Sequence, residues 1–66
     1  MAVAKILELT SRSSDSFDDA IRGGIAKAGE SVHNIESAWV KDQTVLIDDE
    51  SVDQYQVTLK VTFLVD

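Results

Sequence analysis

The sequence predicts an α+β domain in the order strand, helix, strand, strand: a three-stranded antiparallel sheet with one helix packed on one face. Three observations predict it. Period-two alternation fills the end of the chain, where Tyr55, Val57, Leu59, Val61, Phe63 and Val65 interleave with Gln56, Thr58, Lys60, Thr62 and Leu64. A stripe at helical spacing, Phe17, Ala20, Ile21, Gly24, Ile25, Ala28 and Val32, occupies the middle. A polar turn of hairpin length, Asp48-Asp49-Glu50-Ser51, separates two strand-length runs.

The elements follow in order. Ala2 to Thr10 is apolar-rich and free of Gly and Pro, and reads as the first strand, with Val3, Leu7 and Leu9 on one face and Ala4, Ile6 and Glu8 on the other. Ser11 to Asp15 is polar and reads as a loop. Ser16 begins the helix as its cap, with Asp19 where a capping-box acid belongs and Asp18 and Asp19 at the positive end of the dipole. The stripe extends the helix over 16–33, with Asn34 as its stop. Gly23-Gly24 costs about 1 kcal/mol per glycine relative to alanine. It is either a tolerated defect or, since Gly24 lies on the stripe, a point of close backbone approach. Ile35 to Asp48 reads as the second strand and Val52 to Val65 as the third.

Size and composition restrict what such a domain can be. The chain has 66 residues, within the range of a single domain over 1–66. A chain of this length buries only about 60% of its unfolded surface and is marginal alone. It has no cysteine and one histidine, so disulfides, thiolate zinc sites and His-rich metal sites are excluded as reinforcement. Oligomerisation remains. The net charge of −6 opposes binding to nucleic acid or to an anionic membrane. The start, Met-Ala-Val-Ala-Lys, does not read as a signal peptide, and no apolar run approaches a membrane span. The expectation is a soluble cytoplasmic protein.

One helix can cover one sheet face. The odd-numbered face of the third strand is its natural partner, joined on the second strand by Ala38, Val40 and Leu46. The other face then carries Ser37, Trp39, Lys41, Gln43, Val45 and Ile47, with Gln56, Thr58, Lys60, Thr62 and Leu64. Trp39, Val45, Ile47 and Leu64 are too apolar to leave in water, since each large side chain contributes about 1.5–3 kcal/mol on burial. The polar residues between them are too many for a dry core. Such a surface suits a subunit interface or a ligand platform.

Catalytic chemistry is absent from the pattern. No phosphate loop, nucleophile elbow or metal-ligand spacing occurs, and the chain does not read as an enzyme. His33 stands alone and reads as a surface or capping residue; Ser13 and Ser14 read as loop or cap residues. The acids Asp48, Asp49, Glu50 and Asp53 read as solvated turn charge, with a weak calcium site at Asp48 and Asp49 as the alternative. Trp39 and Gln56 remain. An indole stacks on flat ligands and a carboxamide both donates and accepts, so the pair could hold a planar heterocycle such as a flavin. Trp39 as a plain interface residue is the competing reading. Ser37, Lys41, Gln43 and Thr58 share the surface and complete the candidate ligand set.

Several stretches taken in order, "KILEL", "SFDDAI", "HNIESAWVKDQ" and "YQVTLKVTF", resemble the dodecin family. The resemblance covers nearly the whole chain. It implies a hollow homododecamer built from trimers, with the helix outside a curved sheet and the other sheet face turned inward. It also implies flavin (riboflavin or FMN) held at subunit contacts, stacked on tryptophan and bonded by glutamine, for storage or sequestration without turnover. Gln56 in "YQV" falls at the family's flavin-bonding glutamine. The family's stacking tryptophan usually falls at the position of Ser37. Trp39 lies two residues later, on the same face and roughly 7 Å along the strand. Some dodecin-like proteins are associated with calcium instead, which makes a cage holding calcium or another small ligand the alternative function.

Overall fold

The computed structural model describes residues 2–65; of the domain predicted over 1–66, Met1 and Asp66 lie outside the described residues. The elements are β1 (Ala4–Ser13), α1 (Phe17–Ala28), β2 (Ile35–Asp48) and β3 (Ser51–Leu64). The three strands form one antiparallel sheet in the order β1-β3-β2, so the last strand in sequence is central. α1 lies over β1 and β3 and scarcely reaches β2. The α+β reading and the strand-helix-strand-strand order are those of the sequence.

The core sits where α1 crosses the central strand. Val57, Leu59 and Val61 of β3 are fully buried. Ala20, Gly24 and Ala28, spaced four apart, form the buried line of the helix. Small residues there let the helix axis approach the sheet, while Phe17, Ile21 and Ile25 of the helix and Leu7, Leu9, Ala38 and Val40 of the sheet each pack against the buried cluster. A Cβ on Gly24 would lie 2.9 Å from Leu59 Cδ1, 3.0 Å from Ser11 Cβ and 3.2 Å from Leu9 Cδ1. The glycine is therefore a close approach and not a defect. Phe17 and Tyr55 meet edge to face at 5.1 Å.

Two element ends, those of β1 and α1, lie three or more residues from the sequence reading. β1 continues through the predicted loop to Ser13, because Ser11 and Ser13 occupy inward positions opposite Val57 and Tyr55. The Ser13 hydroxyl is buried under the helix start. It donates to Asp19 Oδ2 (2.6 Å) and accepts from the N–H groups of Asp15 (2.9 Å) and Ser16 (3.4 Å). Ser16 caps α1 by accepting from the Asp19 N–H at 2.9 Å. The Asp19 carboxylate turns to Ser13 instead of closing the capping box. At its other end α1 stops at Ala28 and not at 33. Glu30 and Ser31 donate to carbonyls three residues back, those of Lys27 and Ala28, which tightens the chain out of the α-helix. Asn34 is not the helix stop; at φ 62° it turns the chain into β2.

β2 and β3 are each 14 residues long, against 10 for β1. β1 ends at the Ser13–Tyr55 pair, so the hairpin runs on beyond it as a two-stranded arm. The chain measures 51 × 19 × 14 Å, far from spherical. The arm closes through Asp49 and Glu50, both at positive φ (52° and 62°), the signature of a two-residue type I′ turn.

β2 is not regular. Its register against β3 shifts at Glu36 and at Lys41, and β3 carries an extra residue at Asp53. The Lys41 bulge corrects the face assignment beyond it, because one extra residue moves every later side chain to the other face. Gln43 pairs with buried Val57, and Val45 with Tyr55, on the helix side of the sheet. Leu46 pairs with Gln54 on the opposite side, and Ile47 follows Val45. Gln43, Val45 and Ile47 therefore leave the Trp39 face, and Leu46 joins it.

Candidate functional site

The sheet face away from α1 is built in cross-strand rows. Glu8, Lys60 and Trp39 form one row; Thr10, Thr58 and Asp42 the next; Arg12, Gln56 and Thr44 the third. On the other side of Trp39, Ile6, Thr62 and Ser37 form a further row. Strand pairing holds each row in place, since opposed residues of an antiparallel pair project to the same side. Of the residues predicted for a ligand site, Trp39, Ser37, Lys41, Thr58 and Gln56 are brought to this face, and Gln43 is not.

Trp39 is 60% exposed. It cannot turn inward, because its neighbours Ala38 and Val40 take the core positions opposite Val61 and Leu59. The Lys60 ammonium lies 5.6 Å from the centroid of its ring, within cation–π reach. Lys60 and Lys41 converge on Glu8, with Nζ–carboxylate distances of 3.9 and 3.8 Å. Both pairs are solvent-facing and contribute little to stability, about 0–1 kcal/mol each. Their effect is positional. They keep a positive group beside the indole and leave ring surface open to a flat partner.

Two rows along β3, Arg12 Nε donates to Gln56 Oε1 at 2.8 Å. Four residues of strand separate Lys60 from Gln56, roughly 13 Å. The face gathers three of the six basic residues of an acidic protein, Arg12, Lys41 and Lys60, beside the acids Glu8 and Asp42. Arg12 was missed by the sequence reading because "SRSSD" reads as a loop. The available signal was Ser11 and Ser13 alternating with Arg12, small inward residues on either side of an outward cation.

Asp48 and Asp49 sit at the far tip of the arm, roughly 30 Å of strand from Trp39. Among the described residues no three His, Cys, Asp or Glu side chains come together as a metal site. Nor do the described residues enclose a pocket within one chain. Any enclosure of a ligand against the Trp39 face must come from another molecule. Apolar side chains are exposed on both faces: Ile6 (64% exposed) on the Trp39 face, in the row next to that of Trp39, and Ile47 (58%) and Val52 (50%), paired with each other, on the opposite face of the arm.

A helix-backed sheet with one bare, aromatic, polar-lined face, and an arm with no core of its own, defines a small ligand-binding subunit that completes itself by assembly. A sequence model of the dodecin family matches residues 3–66, and the chain belongs to that family. Its structure is similar to the dodecin of Streptomyces davaonensis, with a TM-score of 0.93 and 29% identity over 98% of this chain and 96% of that one. A Thermus thermophilus protein matches with the same score and identity over 100% of this chain and 97% of the other. A calcium dodecin from Mycobacterium tuberculosis, described as calcium-chelating with a novel calcium-binding site, matches at a TM-score of 0.85 and 26% identity, over 97% of this chain and 91% of that one. No curated protein sequence matches the chain. Among the described residues no helix is long and apolar enough to cross a membrane.

Proposed function

We propose that this chain is the subunit of a cytoplasmic homododecameric cage, built from trimers, that binds flavin (riboflavin or FMN) for storage and sequestration without turnover. The exposed Trp39 ring carries the reading. It is the largest apolar side chain in the protein, held outward by strand register, with polar groups on the same face and most of its surface left uncovered by its own chain. Burying such a ring against a flat heterocycle recovers its hydrophobic free energy and adds stacking. Gln56 supplies donors and an acceptor for a heterocycle edge, and Ser37, Lys41 and Thr58 line the same surface. Gln43, on the helix side, has no part in it. The two-stranded arm supports assembly independently, since an isolated hairpin is marginal in water and gains stability by packing on another copy.

The test is a fluorescence titration of riboflavin and FMN with the intact assembly. Quenching is expected, because an excited flavin stacked on indole loses its excitation by electron transfer. Trp39→Ala is expected to abolish it. No quenching at micromolar protein, with the assembly intact by sizing, refutes the flavin reading. Unchanged quenching in Trp39→Ala makes Trp39 an interface residue only.

Calcium is the competing ligand, favoured by the likeness to the calcium dodecin and by the acids of the arm tip. A rise in melting temperature on adding calcium, lost on neutralising Asp48 and Asp49, would support it. The absence of a three-ligand cluster among the described residues weighs against it within one chain.

A further inference from the structure

We infer that Arg12 is the positioning residue of this ligand site: it holds the Gln56 carboxamide by its oxygen, so that the amide nitrogen is the end offered to a ligand. The ligand arm of the inference rests on the flavin reading; the geometry stands without it. Arg12 lies directly opposite Gln56 in the β1–β3 register, and its Nε–H donates to Gln56 Oε1 at 2.8 Å. A guanidinium N–H can meet only the oxygen end of a carboxamide, so the contact fixes which way the amide faces. The NH2 group is thereby turned away from Arg12. A heterocycle edge that presents carbonyl oxygens or ring nitrogens finds two N–H donors waiting, with a cation behind the amide to polarise it.

The pairing is chosen and not merely convenient. The chain has 12 Asp and Glu residues against 6 Lys and Arg. None of the ion pairs found among the described residues involves Arg12, which bonds a neutral amide instead. Gln56 is half-buried while Arg12 is exposed, so the bond costs little desolvation in the free subunit. It strengthens when a ligand or a second copy excludes water from the face. An unanchored glutamine would have to be ordered on binding, an entropic cost that Arg12 removes beforehand.

Two measurements on the intact assembly decide it. In the ligand-free protein, the side-chain NH2 resonances of Gln56 are expected to be dispersed and to collapse toward those of free glutamine in Arg12→Leu. Arg12→Lys keeps a cationic N–H donor able to meet the same oxygen and is expected to retain part of the dispersion. In a riboflavin titration, Arg12→Leu and Gln56→Leu are each expected to weaken binding by up to about tenfold, the upper range of one net hydrogen bond. The double variant is expected to bind no worse than Gln56→Leu alone. Unmoved Gln56 resonances in Arg12→Leu, or losses that multiply in the double variant, overturn the inference. If the native assembly binds no riboflavin, the flavin reading falls, and the amide spectrum alone decides the role of Arg12. Assembly size and melting temperature, expected to be unchanged for the exposed Arg12, serve as the control for folding.

Discussion

Alanine at Gly24 and alanine at Gly23 are expected to shift stability in opposite directions, although the two residues are adjacent in one helix. Both substitutions gain the same intrinsic helix propensity, about 1 kcal/mol over glycine. They differ in what the new methyl meets. At Gly23 the nearest atom is Ser11 Oγ at 4.0 Å, so Gly23→Ala keeps its gain. At Gly24 the methyl lies 2.9 Å from Leu59 Cδ1, 3.2 Å from Leu9 Cδ1 and 3.0 Å from Ser11 Cβ. The leucine tips can swing aside, but a Cβ is fixed to its strand, so α1 must lift off the sheet. Overpacking of this kind costs about 1–3 kcal/mol. Gly24→Ala is therefore expected to lose up to about 2 kcal/mol net. The difference between the two variants isolates the packing cost, because propensity cancels. Urea and thermal melts at one fixed chain concentration measure it, since assembly makes apparent stability depend on concentration. For a domain of this size each kcal/mol is about 4–8 °C in melting temperature. Equal stabilisation by both alanines would refute the claim that the helix sits against the sheet at Gly24.

Two further substitutions test the frame around the site. Glu50→Gly is expected to stabilise the hairpin by about 1 kcal/mol, because Glu50 is held at φ 62°, where only glycine escapes the left-handed penalty; urea midpoints check this, and no gain would mean that the turn relaxes in solution. Ser13→Ala removes the partner of the Asp19 carboxylate and of two N–H groups at the helix start, and is expected to cost about 1–3 kcal/mol in the same assay. Ser14→Ala, on an exposed neighbour, is expected to stay within about 0.5 kcal/mol of the parent.

The position of Trp39 on the uncovered face was legible in the sequence, because Ala38 and Val40 claim the core and the pairing is regular from Ser37 to Val40. Gln56 was equally legible from the alternation of β3, which is unbroken from Gln54 onward. Gln43 was not. It obeys the alternation of β2 until the Lys41 bulge inserts one residue against β3, and a bulge leaves no mark in the hydrophobic pattern of a short, mostly exposed stretch. Arg12 was hidden for a related reason. The outer end of β1 is kept in the sheet by pairing with β3 and by the Ser13 bonds under the helix, while its own side chains are those of a loop.

Local periodicity and turn chemistry are carried by neighbouring residues, so the sequence alone determined the elements, their order, the helix stripe and a sheet face left without cover. Partners far apart in the chain decided the rest: the central place of β3, the face on which Gln43 and Leu46 fall, and the bond from Arg12 to Gln56 across 44 residues. Those depend on which strands meet and in what register. That is settled by the free energy of the whole packed sheet and not by any single stretch of it.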